Sequence, residues 1–86
     1  MTFRYLSEKE LDSLYNATIS TRLASQRQAL LAGMPLLFTA SLSVDKRHDA
    51  ELLQDLNILN QTQMIEGSIP LEIWLKNAIR LSSLLP

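Results

Sequence analysis

The feature that most limits the fold is the segment IEGSIPLEIWLKNAIRLS, residues 65–82, which sets the only tryptophan of the chain inside one amphipathic helix. Leu71, Trp74, Leu75, Ala78 and Leu81 recur at helical spacing and form a broad apolar stripe. Glu72, Lys76 and Arg80 fall off the stripe, with Glu72 and Lys76 at the favourable i,i+4 separation. Pro70 fixes φ for the first turn, and Gly67 supplies the backbone freedom of the break before it. A face this wide must be buried, so Trp74, Leu71 and Leu75 are predicted core residues. The hinge sets the angle at which the helix meets that core.

Upstream segments carry the same period. Ser7-Glu8-Lys9-Glu10 is a capping box, followed by Leu11, Leu14, Tyr15 and Ile19 on one face, which predicts a first helix from Ser7 to about Ile19. Thr21 or Ser20 can cap a second helix in which Leu23, Arg27, Leu30 and Leu31 share a face. Gly33 is placed to end that helix in a left-handed turn, and Pro35 suits the first position of a short third helix holding Leu36, Leu37, Phe38 and Leu42. After the polar connection SVDKRHD, a fourth helix from about Asp49 places Leu52, Leu53, Leu56 and Leu59 at helical spacing, and Asn60 to Glu66 reads as a fraying end and connector. With two glycines, three prolines and little apolar–polar alternation, no sheet is expected. The prediction is an all-α bundle of five to six short helices in one domain, residues 1–86. A chain of 86 residues buries about 60–65% of its unfolded surface, enough to fold alone.

The composition restricts function more than it assigns it. No cysteine is present, so disulfides and thiolate metal sites are excluded. The single histidine, His48, lies in the polar run Asp45-Lys46-Arg47-His48-Asp49; with Asp45, Asp49 or Glu51 it makes a poor zinc site, lacking a second histidine or a cysteine. A solvated helix start with acids near the positive end of the dipole accounts for the same residues. There is no phosphate-cradling glycine loop, no nucleophile elbow, and one base for many serines. The expectation is a chain that is not an enzyme and takes no cofactor or metal. No run of eighteen apolar residues occurs, and the start MTFRYLSEKE lacks the order of a secretory signal, which predicts a cytoplasmic protein.

The formal charge of −1 hides an uneven distribution, because residues 45–66 carry five acids against Lys46 and Arg47. An acidic fourth helix bearing Asp49, Glu51 and Asp55 is therefore expected to face basic residues, the candidates being Arg4, Arg22, Arg27, Lys76 and Arg80. A solvated acidic face is the plainer account. A small helical DNA-binding domain that regulates transcription is the alternative function. Its best recognition helix, Pro70 to Leu84, offers only Lys76 and Arg80.

The stretch Leu52-Leu53-Gln54-Asp55-Leu56-Asn57-Ile58-Leu59-Asn60, then Glu66-Gly67-Ser68-Ile69-Pro70-Leu71-Glu72-Ile73-Trp74-Leu75-Lys76-Asn77-Ala78-Ile79-Arg80-Leu81, resembles the effector-associated domains of bacterial conflict systems. In that family a "DL..LN" helix leads through a short glycine loop to "PL..WL.NA..L". Arg27-Gln28-Ala29-Leu30-Leu31-Ala32-Gly33 and Phe38-Thr39-Ala40-Ser41-Leu42 are similar to its "R..LL.G" and "F...L". The resemblance spans about Leu11 to Leu81. It implies a death-domain-like helical adaptor, not a catalyst, that recruits or assembles effectors by pairing with a like domain. The implied partner carries a similar helical domain on a protease, a caspase-like protein or a nucleotide-dependent switch; a homo-oligomer is the other possibility. Nucleic acid and membrane are not implied partners. On this basis the candidate interface residues are Asp49, Glu51, Asp55, Ile58, Ile73, Lys76, Asn77, Arg80, Arg22 and Arg27. Ile58 and Ile73 would serve as apolar anchors, and contact between two different patches would be heterologous, giving rings or filaments. Asn60 is expected to bond to the loop before Pro70, and Asn77 either to bond internally or to face a partner.

Overall fold

Residues 3–42 and 47–84 are described by a computed structural model. Helix α1, Glu8–Ser20, begins at the expected capping box: the Glu10 amide donates to the Ser7 hydroxyl at 3.2 Å, and the Ser7 amide donates to Glu10 Oε1 at 3.0 Å. The amide contact holds the Glu10 carboxyl below its ordinary value. A 3₁₀ turn, Leu23–Ser25, leads to α2, Arg27–Leu30; α3 is Leu36–Ala40, α4 His48–Gln61 and α5 Pro70–Leu84. No strand occurs among the described residues. The one bridge, Ile65 to Ser68, closes a tight turn in which Glu66 and Gly67 both take positive φ, 50° and 81°.

The core gathers Leu11 of α1, Leu30 of α2, Leu52, Leu56 and Leu59 of α4, and Leu71 and Trp74 of α5, with Met34 from the loop before α3. Trp74 is 1% exposed, which is the burial its place on the stripe requires. Pro70, fully buried, opens α5 as expected.

Three local expectations are corrected. Thr21 and Ser20 do not cap a second helix. The Thr21 hydroxyl donates back to Ala17 O and Thr18 O, so the residue ends α1, and Arg22 follows in the left-handed region at φ 62°. The expected continuous helix therefore divides at Gln26 into the 3₁₀ turn and the four residues of α2. Within α3, Phe38 packs against the core while Leu36 and Leu37 are exposed, and Leu42, just beyond the helix, is buried. Finally, α4 continues through Gln61, and Asn60 does not bond to the loop before Pro70. Its side chain pairs with the backbone of Leu6, accepting from the Leu6 amide at 2.7 Å and donating to Leu6 O at 3.0 Å. With Tyr5 N donating to Asn60 O at 3.1 Å, the chain entering α1 is tied to the end of α4.

Two polar clamps hold α2, too short to be stable alone. At its start Arg27 reaches α4: Nε donates to Asp55 Oδ2 at 2.8 Å, Nη2 to Asp55 Oδ1 at 2.9 Å and Nη1 to Glu51 Oε2 at 3.0 Å. Glu51 and Asp55 are one turn apart, so both carboxylates meet one guanidinium. At its end, Asn77 of α5 donates to Leu30 O and Ala32 O, each at 2.8 Å, satisfying carbonyls that a helix terminus leaves open. Gly33 then turns the chain at φ 88°.

Burial pushes the Asp55 carboxyl above its ordinary value of 3.8, against the pull of the hydrogen bonds and charge of Arg27. The folded state therefore holds that proton more tightly than the unfolded chain. The stabilising contribution of the group is complete below the ordinary carboxylate value and is lost as pH rises through the folded one.

Three outcomes follow from this packing. Trp74→Ala should cost about 3–5 kcal/mol, by transfer and cavity effects, read from urea denaturation; the wild-type Trp74 emission should be blue-shifted and move red through a single transition. Arg27→Ala should cost about 3 kcal/mol, because it leaves buried carboxylates unpaired. The stability margin of the wild type over Asp55→Asn should narrow as pH rises from the ordinary carboxylate value through the folded one; a margin that widens over that rise would contradict an elevated Asp55.

Candidate interaction surface

Of the ten residues nominated from sequence, four are turned to internal use. Glu51 and Asp55 are 6% and 2% exposed and Asn77 9%, and the Arg27 side chain is 20% exposed. The expected acidic face of α4 is therefore corrected: two of its three acids point inward and meet Arg27, which was placed among the opposing basic residues. A carboxylate pair buried on one guanidinium offers no field to a partner. Asp49 remains near the surface at the start of α4. Arg47 Nη2 donates to it at 3.1 Å and its Oδ1 accepts from the Ala50 amide at 2.9 Å. The hydrogen bond from Arg47 holds the Asp49 carboxyl below its ordinary value.

The structure brings Ile73, Lys76, Asn77 and Arg80 together. They line one open depression of about 340 Å³ against Ala32 and Gly33. Asn77 is its polar floor, with both amide hydrogens committed to α2. Ile73 is half-buried against the core, while Lys76 and Arg80 are exposed. Lys76 Nζ lies 3.1 Å from Glu72 Oε1, both side chains well solvated, an arrangement worth only a few tenths of a kcal/mol, about 0.3–0.5. Ile58 is 37% exposed on α4 and lies outside this depression, as does Arg22 beyond the end of α1.

A second depression, of about 460 Å³, runs from Ser25 to Ala29 and includes His48 and Glu51. The Glu51 carboxylate accepts from Arg27 there, and His48 is exposed. Asp45, a candidate partner of His48, lies outside the described residues. Among the described residues no group of three or more His, Cys, Asp and Glu side chains could hold a metal ion. No helix among them is long and apolar enough to cross a membrane.

Sequence reasoning did not single out the most exposed apolar residues as surface features. Leu37 is 88% exposed, Leu36 80% and Ile79 68%. The usable signal for the first two is four consecutive apolar residues, Pro35 to Phe38, in a helix too short to bury them all.

With the geometry in place, the comparisons with known proteins are brief. No curated protein and no solved structure matches the chain. One family model does, that of effector-associated domain 5, over residues 5–86. The match takes in all five helices, from the segment tied to Asn60 through the Trp74 helix, and the chain belongs to the effector-associated domain 5 family.

Proposed function

We propose that this chain is a non-catalytic adaptor that recruits or assembles effector proteins in bacterial defence by pairing with a like helical domain. The observation that carries the reading is the family match over residues 5–86. The motif residues within it are consumed by the fold: Trp74 and Leu71 fill the core, Asn77 ends α2, and Asp55 fixes Arg27. What is left for a partner is the exposed surface, foremost the cationic and apolar outer side of α5 with Ile73, Lys76, Ile79 and Arg80. The death-domain-like character of the module belongs to the same proposal, as does its place in the cytoplasm. Recognition of duplex DNA draws little support, since α5 offers Lys76 and Arg80 alone and Lys76 sits beside Glu72.

Charge reversal at Asp55 or Glu51 is a poor test of docking, because a lysine there would face buried Arg27 and unfold the domain. The informative positions are the solvated ones. Purified protein should bind an effector carrying a domain of the same family, or a second copy of itself, in a concentration-dependent manner. Lys76→Glu with Arg80→Glu should weaken that binding by about tenfold or more, roughly 1.4 kcal/mol, without moving the urea midpoint. Calorimetry or sedimentation would read it. Absence of binding to any like domain, together with salt-dependent binding to duplex DNA, would overturn the proposal.

A further inference from the structure

Two apolar surface features are open to solvent, a protruding pair of leucines and a groove, and they are complementary in form. α3 carries Leu36 and Leu37, nearly fully exposed side by side behind Pro35, and no residue of α3 is buried. Elsewhere α1 and α5 leave an open groove between them of about 250 Å³, lined by Leu14, Ala17, Leu23, Leu75 and Ala78 with exposed Ile79. No charged residue lines it. The space holds about eight water-sized groups at roughly 30 Å³ each, and two leucine side chains bring as many carbons.

The charges beside these features have opposite signs. Arg22 stands in sequence between Thr21 and Leu23, which both line the groove, and Arg80 follows Ile79 on α5 while lining the neighbouring depression of Ala32 and Gly33. Glu66 lines a depression together with Pro35, at the foot of α3. Arg22, Arg80 and Glu66 are exposed and make no ion pair among the described residues. Arg22 and Glu66 are also the two non-glycine residues there with left-handed backbone, at φ 62° and 50°. Both positions favour glycine, and each holds a charge instead.

We propose that the Leu36–Leu37 knob of one copy seats in the α1–α5 groove of a second copy of this chain, with Glu66 meeting Arg22 and Arg80. The proposal rests on the like-domain reading above and narrows it to one surface and one partner. The contact is heterologous: a dimer keeps an unused groove at one end and an unused knob at the other, so copies can add head to tail. A stable interface takes about 10% of a small protein's surface from each partner, which for 5905 Å² is about 590 Å². Two leucines with flanking charges reach that at most, so the contact is weak and forms at high local concentration.

Complementary variants test it by sedimentation at rising concentration. The knob variant carries Leu36→Asp and Leu37→Asp, the groove variant Ile79→Asp; all three side chains are exposed, and circular dichroism and Trp74 emission verify the fold, with Leu36→Ser, Leu37→Ser and Ile79→Thr as milder replacements. Wild type should form dimers and larger species. Each variant alone should stay monomeric, its Kd raised by about tenfold or more, and an equimolar mixture of the two should form dimers and nothing larger, because each supplies the half the other lacks. If both variants associate like wild type, the knob-and-groove contact is wrong while like-domain pairing stands. If the mixture is not rescued, the contact is not heterologous and the proposal fails. If wild type stays monomeric yet captures an effector's like domain, self-assembly is overturned and the pairing reading survives.

Discussion

The structure depends on the bidentate hold of Arg27 on Asp55. A four-residue helix does not form for its own sake, since nucleation costs more than four residues return. α2 exists because its first side chain is fixed to α4 by paired charge-assisted hydrogen bonds and its last carbonyls are fixed to α5 by Asn77. Leu30, between these clamps, is then delivered to the core at 1% exposure, where it meets Trp74 and Leu56. Polar contacts at the margin thus decide which apolar residue reaches the centre. Asn60 does the same at the other end of α4, placing Leu6 and the start of α1.

This explains which parts of the fold were legible in the sequence. Long periodic stretches announced themselves: the capping box at Ser7, the leucines of α4 and the Trp74 stripe follow from spacing, because their burial is set by the helix period. The break at Gln26 did not, since it depends on partners distant in sequence. Arg27 and Asp55 are 28 residues apart, and no local pattern distinguishes a carboxylate that meets arginine from one that meets water. Asn60 and Asn77 reach across 54 and 45 to 47 residues for the same reason. The family motif did contain these residues, but as letters without partners.

A candidate interaction surface is harder to read from sequence than the fold. Charge content suggested an acidic face, yet charge in a sequence has no direction. Once Glu51 and Asp55 turn inward onto Arg27, most of the apparent surplus of residues 45–66 no longer projects from α4. The sequence features that survive as surface are those not drawn into the core: Lys76, paired only with solvated Glu72, and Arg80 on α5, Ile58 on α4, and Arg22 beyond the end of α1.

Internal use of charge also changes what specificity must rest on. A chain with a formal charge of −1 and its strongest ion pairs buried exerts little long-range steering. On the like-domain reading proposed above, partners would then be discriminated at contact, by shape and by a few local charges. Left-handed arginine or glutamate costs about 1–2 kcal/mol relative to relaxed backbone, and this chain bears that cost twice, at Arg22 and Glu66. In both places the strained residue holds an unpaired charge at the margin of an apolar feature, groove or knob. Both conformations serve turns within the chain, the Arg22 amide donating to Ile19 O where α1 ends and Glu66 sitting in the Ile65–Ser68 turn; glycine would relax either turn but would remove the charge, which is what each position contributes to the proposed contact.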